Sequence, residues 1–150
     1  PMAAIEVISP QTSYLITSLM QSVIQEGTGQ RAKALGRPAA GKTGTTNDTR
    51  DAWFLGFIPQ QLVAGAWMGY DIEKPLGTHE TGAVAALPIW LEFMKEVVDG
   101  KVVENFSVPE GIVFTKTDAV TGEPVGPKQP AKSGKVIFEC FKEGTEPTIN

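Results

Sequence analysis

The sequence predicts an α+β fold in which an antiparallel sheet of about three core strands packs against two long helices. Segments 40–46, 52–58 and 62–70 are apolar or rich in β-branched residues, and short turns join them. Segments 10–26 and 82–98 are longer and have the apolar spacing of helices. A chain of 150 residues, of which 41% are hydrophobic and 20% charged, is large enough to bury one core.

The first helix is predicted over 10–26. Ser9 suits the N-cap and Pro10 the first helical position, and Gly27 ends the segment. Between them, apolar residues recur three or four positions apart, which places them on one helix face. These residues are Leu15, Ile16, Leu19, Met20, Val23 and Ile24. Such a stripe is typical of a surface that faces the core, so we expect it to be buried.

The three strands follow one another through short connections. A turn at 47–48 follows the first strand, and residues 59–61 close a hairpin between the second and the third. The strands are apolar on both faces, which indicates that helices cover the sheet. Trp53, Trp67 and Trp90 lie within apolar runs and are expected in the core, with Trp53 near enough to the first strand to flank a groove.

Residues 72–81 are predicted to form a loop before the second helix, 82–98. This helix is apolar almost all round, so we expect it to be buried against the sheet. Pro88 is expected to bend it and Gly100 to stop it.

The composition changes after the second helix, which predicts a main domain over 1–104 and a small β-rich extension over 105–150. Segments 112–116 and 136–141 have the character of strands, and a stretch rich in glycine and proline separates them. Cys140, the sole cysteine, lies in the second of these strands and is expected to be a small, half-buried residue without a disulfide.

The charge composition argues against several classes of partner. Thirteen Lys and Arg residues against seventeen Asp and Glu give a net charge of −4, so nucleic acid is not indicated. No apolar run reaches transmembrane length, and direct membrane contact is not expected.

His79, the sole histidine, is expected on a surface loop. Asp48, Asp51 and Glu80 match no metal-ligand spacing, so we expect no metal and no cofactor.

Two motifs overlap on Lys42. Residues Gly36–Thr43 match the phosphate-loop pattern G-x-x-x-x-G-K-[ST], whereas residues 42–44 form the K-T-G box of the penicillin-recognising serine enzymes. A phosphate loop must follow a buried strand and open a helix. Here 30–36 is rich in helix formers, and 43–49 suits a strand and a turn. The flanks favour the K-T-G interpretation, and a nucleotide-binding module using Gly36–Thr43 is the alternative.

The block GTGQRAKALGRPAAGKTGTTNDTRDAWFLGFIP, from Gly27 to Pro59, resembles the last part of the transpeptidase domain of class A penicillin-binding proteins. These proteins are bifunctional synthases of bacterial peptidoglycan. The likeness continues in 80–90, 108–113 and 144–148, so it covers most of the chain.

The resemblance implies a β-lactamase/transpeptidase-like fold, with 1–104 as the C-terminal portion of the transpeptidase domain. It implies a serine D,D-transpeptidase that crosslinks peptidoglycan stem peptides and is acylated by β-lactams. It also implies a glycosyltransferase in the full-length protein and a location on the outer face of the bacterial cytoplasmic membrane, anchored by an N-terminal segment not present here.

The K-T-G strand is expected to supply part of an acyl-transfer site. Alternation along a strand places Thr43 and Thr45 on one face, and Lys42 and Gly44 on the other. Thr43, Gly44, Thr45 and Thr46 are the predicted substrate-binding residues, because threonine hydroxyls can hold the substrate carboxylate. Gly44 also leaves room for a closely packed element, which the resemblance identifies as the helix bearing the nucleophile.

Two residues of the same strand are the catalytic candidates. Lys42 is predicted to place a fixed positive charge near the substrate carboxylate and the proton-transfer groups. The backbone N–H of Thr45 is predicted to be one of two donors to the developing oxyanion.

The family's Ser-x-x-Lys and Ser-x-Asn boxes do not occur in this sequence. Because acylation needs an activated hydroxyl, the chain alone is predicted to be inactive. The upstream part of the same transpeptidase is then its expected partner. A non-catalytic cell-wall interaction domain is the remaining alternative.

Overall fold

The structure is a computed structural model that describes residues 6–59 and 62–149. These residues form two compact units. One unit is Thr17–Ser107, and the other combines the described residues up to Ile16 with those from Val108 onward. The domain boundary placed after residue 104 stays a prediction.

The unit Thr17–Ser107 contains a three-stranded antiparallel sheet in the order β1-β2-β3. The strands are β1 (Ala40–Thr45), β2 (Ala52–Ile58) and β3 (Leu62–Met68). The predicted α+β class is confirmed, and β1 and β3 end one and two residues before their predicted ends. The ladder of β1 stops there because a 3₁₀ turn, Asn47–Thr49, follows Thr46.

The helical segments differ in detail from the sequence prediction. Helix α1 covers Pro10–Gln25, one residue shorter than expected. The predicted single helix 82–98 begins with a π-helical segment, Gly82–Ala86, and continues as α2, Leu87–Val98. Pro88 therefore lies in the first turn of α2, where a residue without an N–H breaks no intrahelical hydrogen bond. No helix among the described residues has the length and apolar character needed to span a bilayer.

The core of this unit lies between α2 and one face of the sheet. Trp90 of α2 is buried, and its ring meets Phe54 of β2 edge-on with the centroids 5.0 Å apart. The indole Nε1 of Trp90 donates a hydrogen bond to the Gly56 carbonyl at 3.3 Å. The placement of Trp90 in the core is confirmed.

The opposite face of the sheet is open among the described residues and carries large apolar side chains. Trp53 pairs with Trp67 across β2 and β3, and the two side chains are 42% and 46% exposed. Leu55 and Val63 are exposed on the same face. The expectation that Trp53 and Trp67 belong to the core is therefore wrong, because α2 covers the other face.

The apolar stripe of α1 is only partly buried. Ile24 belongs to the core, whereas Ile16 and Leu19 are exposed. The expectation that the whole stripe is buried is wrong, because only the C-terminal end of α1 reaches the core cluster.

The second unit contains an antiparallel hairpin of β4 (Ile112–Asp118) and β5 (Val136–Lys142), which agrees with the strand character predicted for both segments. The Asp118 carboxylate is buried at the end of β4. It accepts backbone N–H hydrogen bonds from Val120 and Thr121 on Oδ1, and from Ser133 on Oδ2 at 2.6 Å. One carboxylate thereby ties together both ends of the connection between β4 and β5.

The stability of this unit should depend on the charge of Asp118. The N–H of Ser133, aided by those of Val120 and Thr121, holds the pKa of Asp118 well below its ordinary value, although burial opposes the shift. Because the folded-state pKa lies below the unfolded one, the stabilisation is present above about pH 4 and is lost as the pH falls further. Asp118→Asn should lower the melting temperature at pH 7 and flatten its decline below about pH 4.

Thermal unfolding at a series of pH values tests this prediction, with Glu143→Gln as the control because Glu143 is an exposed acid of the same unit. Parallel pH profiles for Asp118→Asn and the unsubstituted chain would contradict it.

Candidate active-site strand

Lys42 and Thr43 lie in the middle of β1, which continues as extended backbone to Thr45. The segment before β1 is a 3₁₀ helix, Gln30–Leu35, and not a buried strand. The phosphate-loop alternative for Gly36–Thr43 is therefore wrong, since a nucleotide loop would open a helix at the lysine.

The backbone polar groups of Thr43 and Thr45 point away from β2, toward the free edge of β1. Thr46 N donates to the Asp51 carbonyl at 3.1 Å, and the next pair in register is Thr45 with Ala52. Hydrogen-bonded and non-hydrogen-bonded pairs alternate in an antiparallel ladder, so Thr45 and Thr43 occupy the non-bonded positions. Since β1 is an edge strand in the described sheet, their N–H groups are available to a ligand.

Lys42 places its charge at this edge. Its side chain is exposed, and Nζ donates a hydrogen bond of 2.6 Å to the outward-facing carbonyl of Thr43. The ammonium group thus lies beside the edge that presents the Thr43 and Thr45 N–H groups. A cation and outward N–H donors together suit a ligand that carries or develops negative charge.

The hydroxyls of Thr43 and Thr45 lie on the sheet face opposite Lys42, and both have protein partners. Thr43 Oγ1 is 2.7 Å from Thr28 Oγ1. Thr45 Oγ1 accepts the Gly82 N–H at 3.0 Å, and because a hydroxyl that accepts still carries its proton, Thr45 can also donate.

Thr46 and Gly44 have different surroundings. The Thr46 hydroxyl accepts the Asp51 N–H at 2.8 Å, which ties it to the start of β2. Gly44 lies on the open face beside Trp53, where an added Cβ would come within 3.2 Å of the Trp53 Cβ. The structure therefore brings Lys42, Thr43 and Thr45 to one edge and leaves Thr46 in the turn beside it.

Two residues of this site, Gly82 and Thr28, are not among the site residues predicted from the sequence. Gly82 lies so close to β1 and β2 that a Cβ there would collide with the carbonyl oxygens of Gly44 and Trp53. Thr28, which contacts Thr43, follows Gly27, the residue at which the first predicted helix ends. Thr28 lies between two glycines, which by itself indicates a turn, and the block that carries the resemblance includes it without indicating a role.

An extended edge strand that carries a K-T-G box is the arrangement expected in the class of penicillin-recognising proteins. The family model described as the penicillin binding protein transpeptidase domain matches residues 2–88. The chain belongs to this family, and the resemblance inferred from the sequence is confirmed.

Named relatives agree with this assignment. Penicillin-binding protein 1A of Pseudomonas aeruginosa is 42% identical over 152 residues, which cover 100% of this chain and 18% of that protein. Penicillin-binding protein 1A of Aquifex aeolicus is 40% identical over 148 residues, covering 96% and 19%. The crystal structure of penicillin-binding protein 1A from Haemophilus influenzae matches with a TM-score of 0.79 and 32% identity, over 95% of this chain and 22% of that one. The chain spans about a fifth of the length of these relatives.

Proposed function

We propose that this chain is the segment that carries the K-T-G box, the third motif beside Ser-x-x-Lys and Ser-x-Asn, of a serine D,D-transpeptidase that crosslinks peptidoglycan stem peptides and is acylated by β-lactams. The observation that carries the proposal is the free edge of β1, where the Lys42 ammonium lies beside the outward-facing backbone of Thr43 and Thr45.

The edge supplies two of the three functions that acyl transfer needs. Lys42, with the hydroxyls of Thr43 and Thr45, attracts the carboxylate of a D-Ala-D-Ala-like peptide end or of a β-lactam. The Thr45 N–H donates to the carbonyl oxygen as it gains negative charge. The third function, an activated serine, comes from the Ser-x-x-Lys box of the upstream part of the same domain.

The open face of the sheet supports that upstream part as the direct partner of this chain. Lys42 and Gly44 lie on this face together with the exposed side chains of Trp53, Leu55 and Trp67. An apolar surface of this kind beside a site is typical of an interface. Covering it would also exclude water from Lys42 and strengthen its electrostatic effect.

The relatives support the wider setting of this proposal. Their shared name, penicillin-binding protein 1A, supports a place in cell-wall synthesis on the outer face of the bacterial cytoplasmic membrane. In the full-length protein we expect a membrane anchor and a glycosyltransferase upstream of this segment.

Acylation of the full-length protein by labelled penicillin tests the proposal. Lys42→Ala should reduce the second-order acylation rate constant about 10²–10³-fold, since one preorganised electrostatic contact is lost. Lys42 is exposed, so the fold should survive, as circular dichroism would show. Lys95→Ala is the matched control, because Lys95 is an exposed residue of α2 that pairs with the neighbouring Glu92.

The 150-residue chain, assayed alone, should stay unlabelled because it has no Ser-x-x-Lys box. Normal acylation of the Lys42→Ala protein, or labelling of the isolated chain, would contradict the proposal.

A further inference from the structure

The loop after α1 places a threonine hydroxyl beside the K-T-G strand, β1. Thr28 Oγ1 lies 2.7 Å from Thr43 Oγ1, although the two residues are 15 positions apart in sequence. Both belong to the unit Thr17–Ser107. Thr43 is a residue of the proposed carboxylate site, so Thr28 contacts that site from outside β1.

The position of Thr28 is fixed by the glycines on either side of it. Gly27 N donates to the Ser22 carbonyl at 3.1 Å, and Gly29 N donates to the Val23 carbonyl at 2.9 Å. A Cβ at Gly27 would lie 2.9 Å from the Val23 Cα, and one at Gly29 would lie 3.2 Å from the Val23 oxygen. The loop therefore folds tightly onto the last turns of α1 and holds Thr28 against Thr43.

When a ligand is bound, the number of hydroxyl protons determines which of the two threonines donates the hydrogen bond between them. Each threonine hydroxyl has one proton to donate and two lone pairs that accept. The 2.7 Å separation allows either residue to be the donor. If the Thr43 hydroxyl donates its one hydrogen bond to a substrate carboxylate, Thr28 must be the donor in the hydrogen bond between the two threonines. The resulting chain from Thr28 through Thr43 to the carboxylate is polarised along its length, which strengthens the last bond.

We propose that Thr28 is a positioning residue for the substrate carboxylate. The Thr28 hydroxyl donates a hydrogen bond to the Thr43 hydroxyl and thereby directs the Thr43 O–H toward the ligand. This inference rests on the proposed function. It makes Thr28 a determinant of selectivity for ligands that carry a free carboxylate.

The test compares two labelled ligands on the full-length protein: a penicillin and the methyl ester of the same penicillin, which lacks the negative charge. Thr28→Val keeps the shape of the side chain and removes the hydroxyl. It should slow acylation by the free acid about three- to tenfold, the effect of one hydrogen bond, and slow acylation by the ester less, because the uncharged ester carbonyl is a weaker acceptor for the Thr43 hydroxyl. Thr28→Ser keeps the hydroxyl and should acylate with both ligands as the unsubstituted protein does.

A double-mutant cycle separates positioning from a structural role. If Thr28 acts through Thr43, adding Thr28→Val to Thr43→Val should cause no further loss with the free acid. Equal slowing with both ligands, or additive losses in the cycle, would overturn the inference and leave the proposed function standing. Failure of the unsubstituted full-length protein to react with either ligand would overturn the proposed function, and the inference with it.

Discussion

Thr45→Pro should slow acylation of the full-length protein by penicillin about 10²–10³-fold relative to Thr45→Val, the effect of losing one oxyanion donor. Proline has no N–H, and at Thr45 the missing group points to the free edge of β1. No hydrogen bond of the ladder to β2 is lost, and proline is tolerated at such edge positions. The fold should therefore survive while the proposed oxyanion donor disappears.

The comparison with valine isolates the backbone group. Both substitutions remove the hydroxyl that accepts the Gly82 N–H, so this loss cancels between the two variants. Stopped-flow acylation rates, together with melting temperatures, give the required measurements. Equal acylation rates for two variants of similar stability would remove the Thr45 N–H from the mechanism.

The conformation of the K-T-G segment could be predicted from its flanks. The residues after Lys42 combine β-branched threonines with an Asn-Asp pair, which suits a strand that ends in a turn and does not suit a helix. These are local preferences, and they gave the correct choice between two motifs that share a lysine. Alternation then placed Lys42 on the face opposite Thr43 and Thr45 without further information.

The burial of the three tryptophans could not be predicted in the same way. Trp53, Trp67 and Trp90 all lie in apolar runs, yet only Trp90 is buried in the described structure. Apolar character shows that a side chain favours burial, whereas the element that covers each sheet face is set by tertiary packing. The stripe of α1 raises the same difficulty, because helical periodicity identifies a face and not its partner.

The hydrogen-bond partners of the Thr43 and Thr45 hydroxyls are also distant in sequence, so local patterns do not predict them. Thr28 lies 15 residues before Thr43, and Gly82 lies 37 residues after Thr45. Neither spacing corresponds to a helical or strand repeat. Gly82 approaches β1 because it has no side chain, and that requirement becomes visible only when the carbonyls of Gly44 and Trp53 are in place.

Trp90→Ala should lower the free energy of unfolding of this chain by about 3–5 kcal/mol, the usual cost of removing a large buried aromatic side chain. Trp90 is 1% exposed, packs edge-on against Phe54, and donates to the Gly56 carbonyl. The substitution would leave a cavity between α2 and β2 and would remove the hydrogen bond from the indole to the Gly56 carbonyl. Denaturant unfolding followed by circular dichroism measures the loss.

Trp53→Ala is the matched control, since Trp53 lies on the opposite face of the same strand and is 42% exposed. Its removal should cost much less than that of Trp90, because water can occupy the space that the ring leaves. Trp90→Phe should fall between the two, since it keeps an aromatic ring against Phe54 and loses only the indole N–H and part of the volume. Similar losses for Trp53→Ala and Trp90→Ala would contradict the assignment of the core to the α2 face. Because β2 is the only strand that pairs with β1 in the described sheet, the buried Trp90 also supports the strand that holds Lys42.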